Sequence, residues 1–174
     1  MAAQRSLRAR ALQWLAQREQ SRSELRRKLL PHAVAEAGVE AEKTAEAGAP
    51  AAGIDPATRV DALLDWLEAH NHLSQERFVE SRVHARASRF GNLRIRQELK
   101  QHQVVLSAEA AQALRDSELE RARAVLERKF PDPPSTPAER AKQARFLAGR
   151  GFSPEAIARA LRRDGAGQHA TFDG

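Results

Sequence analysis

The chain has no cysteine and no tyrosine, and aromatic residues make up only 5% of its 174 residues. Without cysteine, a disulfide framework and the Cys-based zinc modules are both excluded, and a reducing compartment suits the protein. No run of alternating or β-branched residues is long enough to build a convincing strand. No stretch approaches the roughly eighteen uncharged residues of a membrane span, and the arginines among residues 1–10 are not followed by the apolar segment of a secretion leader. The expectation is therefore a cytoplasmic protein with no membrane contact. Phosphate-binding loops, dinucleotide fingerprints and nucleophile elbows are missing too, so neither catalysis nor a cofactor is expected. His32, His70, His72, His84, His102 and His169 have no cysteine partners. His70 and His72, two apart, are expected on different helix faces, which argues against a metal site.

What is present is helix-forming: Ala, Leu, Arg, Glu and Gln dominate, with 41% hydrophobic residues for a modest core. The net charge of +6 is unevenly placed. Residues 1–30 carry eight basic and two acidic residues, while 31–65 carry two and seven. Positive segments thus flank one acidic insert, a balance that suits a polyanionic partner as well as solvated helix faces.

Apolar residues recur at helical spacing in nine segments. The first runs from Leu7 to Arg18, and the second opens at Ser21, where SRSE has the form of a capping box with Glu24. Pro31 is expected to end it. The third spans Pro56 to His70, with Asp55 as N-cap and Val60, Leu63, Leu64 and Leu67 inward. Ser74 caps the fourth, which reaches about Arg89. After the FGN turn a fifth carries Leu93, Ile95 and Leu99, and Ser107 caps the sixth. The seventh contains Leu119, Ala122, Val125 and Leu126 and stops before the PDPPSTP linker at 131–137. Two more follow, Ala138 to Gly149 and Ser153 to Arg163. The acidic stretch from Ala33 to Ala52 holds few large apolar residues and is expected to be a flexible insertion.

A repeat emerges once the insertion is set aside. Gly53, Ile54, Asp55 and Pro56 match Gly151, Phe152, Ser153 and Pro154 in character: turn glycine, buried residue, cap, and proline opening a helix. Val105, Leu106 and Ser107 form a weaker copy. The expected fold is all-α, a tandem array of three three-helix (helix-turn-helix-like) repeats. The expected boundaries are 1–73, including the insertion at about 33–52, then 74–115 and 116–165, with a tail at 166–174.

Basic faces remain as candidate contacts. Arg82, Arg86 and Arg89 fall within about 60° on one helix, and Arg96 lies one turn from Lys100. Arg159, Arg162 and Arg163 lie opposite Ile157 and Leu161. The stems of Arg82 and Arg86 could equally cover apolar surface beside Phe78 and Val79.

Five segments in order, ALQWLAQREQSRSELRRKLL (11–30), LSQERFVESRVHAR (73–86), RIRQELK (94–100), RARAVLERKF (121–130) and RFLAGRGFSPEAIARAL (145–161), resemble the RecX family of recombination regulators. The resemblance implies an elongated, curved three-repeat array. It also implies a bacterial cytoplasmic location and binding to the RecA-type recombinase filament on single-stranded DNA, mainly to inhibit its ATPase and strand exchange. It implies no enzymatic activity. Family members usually have an acidic residue at Gln75, Ala at Val79 and Gly at Gln103, and their turn is shorter than the insertion at 33–52. Candidate partner or DNA contacts are Arg22, Arg26, Arg27, Arg82, Arg86, Arg94, Arg96, Lys100, Arg150, Arg159 and Arg163. A monomer is expected, since no dimerisation segment is evident. The competing reading is a helix-turn-helix regulator acting directly on DNA, although no helix rich in base-reading Asn, Gln and Ser stands out.

Overall fold

The computed structural model describes residues 5–46 and 53–162; Arg163 and the expected tail at 166–174 lie outside the described residues. Nine α-helices and no strand are present among the described residues. They divide into two compact units, Met1–Ser81 with Leu99–Val105, and Arg82–Glu98 with Leu106–Gly174. The helices α4 (Gln75–Ala87) and α5 (Asn92–Gln101) give residues to both.

In the first unit, α1 (Leu7–Gln17) begins where Ser6 accepts the Ala9 N–H at 3.3 Å, and it buries Leu7 and Ala11 one turn apart. Ser21 opens α2 (Arg22–Glu46) by accepting the Glu24 N–H at 3.1 Å. The Glu24 carboxylate turns to Arg18, so the expected reciprocal capping box gives way to an ion pair. Asp55 caps α3 (Pro56–Ala69) through the Thr58 N–H at 3.0 Å, with Pro56 at its first position. Val60, Leu64 and Leu67 of α3 are fully buried against Leu25, Leu29 and Ala33 of α2. Burying each such leucine contributes roughly 1.5–3 kcal/mol.

Two expectations about α2 are overturned. Pro31 does not end the helix; α2 continues to Glu46, 25 residues in all, with Pro31 inside it. Residues 33–46 of the supposed flexible insertion are helical, while 47–52 lie outside the described residues. An internal proline costs about 3 kcal/mol through its missing N–H and its clash with the carbonyl four residues back. Burial offsets this cost, because Leu25, Leu29 and Ala33 form one fully buried stripe across the proline. Further along, Arg59 of α3 holds Glu36 at 3.4 Å and Glu40 at 3.2 Å.

In the second unit, Ser107 caps α6 (Ala108–Asp116), and α7 (Glu118–Lys129) follows after Ser117. Thr136 and Glu139 form a capping box at α8 (Pro137–Gly149), so Pro137 opens that helix and the linker is one residue shorter than expected. Ser153 caps α9 (Pro154–Leu161) by accepting the Ala156 N–H at 3.2 Å. Ala122, Val125 and Leu126 of α7, Leu147 of α8 and Ala160 and Leu161 of α9 surround Phe152. Phe130 and Phe146 meet edge to face, with ring centroids 5.3 Å apart.

The three expected caps at Asp55, Ser107 and Ser153 all accept the N–H three residues on. The expected buried residue before each cap holds only at Phe152, which is 1% exposed. Ile54 is 67% exposed, and a Cβ added at its neighbour Gly53 would meet no atom within 4 Å. At the middle turn Leu106 is only half-buried, and Val104 is the buried residue.

Candidate functional site

The first unit spends two of its candidate cations on itself. Asp61, Asp65 and Glu68 lie along one side of α3, facing Arg22 and Arg26 one turn apart on α2. Arg22 reaches Asp65 at 2.7 Å and Glu68 at 2.6 Å, while Arg26 forks onto Asp61 at 2.7 and 3.1 Å. The Arg26 hydrogen bonds hold the Asp61 carboxyl below its usual range. Burial alone would push Glu24 up, but the hydrogen bond and charge of Arg18, helped by Lys28 and His102, bring it below the usual carboxylate range. Arg27 and Lys100 are exposed.

His70 and His72, expected on different faces, stack on the same ring, that of Trp66, at centroid distances of 4.1 and 5.6 Å. Helix α3 ends at His70, and Asn71 at φ 57° turns the chain so that His72 comes back to the ring. Among the described residues, no three His, Cys, Asp or Glu side chains gather as metal ligands would.

In the second unit the geometry is different. Helix α4 ends where the Phe90 N–H meets the Arg86 carbonyl at 3.0 Å, and the FGN turn presents a half-buried Phe90. Arg86, Arg89 and Arg94 place their guanidinium carbons 5.7, 5.8 and 5.4 Å from the centre of that ring. Glu98 is the one acid ion-paired with this group among the described residues, holding Arg86 at 2.9 Å and Arg94 at 3.6 Å. The group therefore keeps an excess of positive charge around an aromatic face. Arg82 is half-buried and engaged within the chain.

The turn is held firmly. Gly91 donates to the Arg150 carbonyl at 3.0 Å and Leu93 donates to the Gly151 carbonyl at 2.9 Å. Gly91 lies so close that a Cβ there would stand 2.3 Å from the Phe152 backbone. Gly151, at φ 78°, leaves only 2.6 Å between an added Cβ and the Arg94 Cβ. Glu118, buried at the start of α7, accepts the Asn92 N–H at 2.9 Å, the Ser153 N–H at 3.2 Å and the Ser153 hydroxyl at 2.7 Å. Arg121 donates to the Phe90 carbonyl at 2.9 Å and to Asn92 Oδ1, and burial lowers its guanidinium from the ordinary value against the pull of Glu118.

The remaining candidates fall in two places. Arg150 covers Phe146 at 4.5 Å and donates to the Arg89 carbonyl at 3.2 Å, so it supports the turn. Arg96 and Arg159, joined by Arg115, line a separate cleft of about 580 Å³ together with Glu120 and Glu155. Arg159 lies 3.7 Å from Glu155 there, so the cleft is mixed in sign. In the sequence Phe90 stands only as part of the FGN turn, and Glu118 and Arg121 carry no signal of the roles they take here. The available signal was the spacing of arginines at one and four residues before Phe90 and four after it.

Capped helices in two compact all-α units, with cations gathered on a braced turn of the second, define the class: an all-helical protein built of short capped helices. Family models agree with this class: the second three-helix domain of RecX matches residues 74–113, and the third matches residues 116–161. A relative named Regulatory protein RecX from Ralstonia nicotianae is 48% identical over 158 residues, covering 90% of this chain and 86% of the relative. The Leptothrix cholodnii protein of that name is 45% identical over 161 residues, covering 91% and 89%. That of Neisseria gonorrhoeae is 34% identical over 165 residues, covering 93% of each. The chain belongs to the RecX family of regulatory proteins.

Proposed function

We propose that this chain regulates a RecA-type recombinase filament on single-stranded DNA, chiefly by limiting its ATPase and strand exchange, and that it hydrolyses no ATP itself. The observation that carries the DNA side of this reading is the group of Arg86, Arg89 and Arg94 around Phe90. Single-stranded nucleic acid is held by cations that follow its phosphates and by flat side chains on which bases stack. One turn here offers both. The family membership, together with the resemblance of the five segments, supports the recombinase as protein partner. The chain acts in the cytoplasm as a monomer on this reading.

The nine helices of the described residues are read as three three-helix repeats at 1–73, 74–115 and 116–165. The positions of the two family-model matches support the second and third of these boundaries. The function is tested by adding purified protein to recombinase filaments on single-stranded DNA and following ATP hydrolysis, with duplex DNA binding as the control. Hydrolysis falls with added protein on this account. Unchanged hydrolysis, with tight duplex binding, would make the chain a direct DNA regulator instead.

A further inference from the structure

The second unit carries a groove of about 750 Å³ between α8 and α9, on which the arginines around Phe90 do not draw. Its α8 side presents Ala141, Ala144 and Ala148, spaced by three and four residues. These side chains are short enough for another backbone to come close. Its α9 side presents Ile157 and Leu161 at the same helical spacing, over a floor formed by Phe152. At the mouth stands Leu93, an apolar side chain left 56% exposed. Two neighbouring helices with side chains at this spacing leave a furrow that a third helix fills by ridge-into-groove packing.

The charge around the groove narrows the occupant. Arg140 and Arg145 flank the alanines of α8, and both are exposed. Neither is ion-paired among the described residues, and no acidic side chain lines the groove there. Glu139, next to Arg140 in sequence, is taken up by the cap of α8. Among the described residues the groove is thus an apolar trough beside two unpaired cations. A nucleic acid strand would need aromatic faces to stack on, and the one aromatic ring lining this groove among the described residues, Phe152, is 1% exposed.

We propose that the α8–α9 groove docks an amphipathic helix of a partner protein, apolar on the face that enters and bearing carboxylates on its flank. The inference stands whether or not the partner is a recombinase.

The test uses the full chain, ¹⁵N-labelled, titrated with a designed helical peptide that carries a leucine stripe flanked by glutamates. A second peptide has lysine at each glutamate. The acidic peptide shifts the amides of Ala141, Ala144, Ala148 and Ile157 in a saturable way, and the lysine peptide binds at least about tenfold more weakly. Ala148→Trp, at an exposed position that leaves the core untouched and the charge unchanged, weakens the acidic peptide at least about tenfold by filling the trough. The pair R140E and R145E reverses the preference between peptides. Absence of saturable shifts, equal binding of the two peptides, or indifference to Ala148→Trp would each overturn the proposal. So would an oligothymidylate that moves the same four amides, since the groove would then belong to nucleic acid.

Discussion

At the scale of single residues, the braced turn depends on glycines more than on charges. Gly91 and Gly151 let two turns of the second unit approach until an added Cβ would sit 2.3 Å from Phe152 and 2.6 Å from Arg94. Gly91→Ala is therefore expected to destabilise the protein by about 1–3 kcal/mol through overpacking, read as a lowered thermal midpoint. An unchanged midpoint would show that the turns have room to part. The caps were legible in the sequence, because Asp55, Ser107 and Ser153 act through a local bond to the N–H three residues on. The exposure of Ile54 was not, since a cap pattern sets where a helix starts and leaves the burial of the residue before it to tertiary packing. Gln103 is a further case. It occupies φ 58°, a conformation that favours glycine, at the position where the family resemblance expects one.

At the scale of elements, helix positions followed from apolar spacing, whereas the end of α2 did not. A local rule placed the stop at Pro31; the fully buried stripe of Leu25, Leu29 and Ala33 overrode it. Because Pro31 is itself exposed, Pro31→Ala restores the missing N–H without removing packing. It is expected to raise stability by about 2–3 kcal/mol in thermal or urea unfolding. A neutral effect would mean that α2 has already relaxed around the proline. The pairing of α2 with α1 and α3 also sets an acid limb. Glu24 and Asp61 both lie below their usual range in the folded protein, so folding favours their ionised forms. Their contribution is complete above the unfolded values near about pH 4 and is lost as pH falls through the folded ones. The urea midpoint should therefore drop below about pH 4, and Asp61→Asn should flatten that drop. A midpoint that stays level down to about pH 3 would contradict the pairing.

At the scale of the whole molecule, the sequence was enough for an all-α chain and its family, but it did not show which cations pair within the chain. Arg22 and Arg26 looked equal to Arg94 until α3 brought Asp61, Asp65 and Glu68 against them across 35 to 46 residues of chain. Pairings at such separation leave no periodic trace. Phe90 was overlooked for a related reason, since its importance lies in the arginines gathered around it. If those arginines meet phosphates, log affinity for single-stranded DNA falls with log salt by about 0.7 per contact, and removing Arg89 and Arg94 together reduces the slope by about 1.4. An unchanged slope would place the DNA elsewhere. The most direct measurement is recombinase ATPase on single-stranded DNA, titrated with wild-type protein and with the variant Arg89→Ala, Phe90→Leu, Arg94→Ala. The account predicts that the variant, folded by circular dichroism, needs at least about tenfold more protein to halve hydrolysis, as expected when a stacking contact worth about 1–3 kcal/mol is lost along with two cations. Equal inhibition by the two proteins would contradict it.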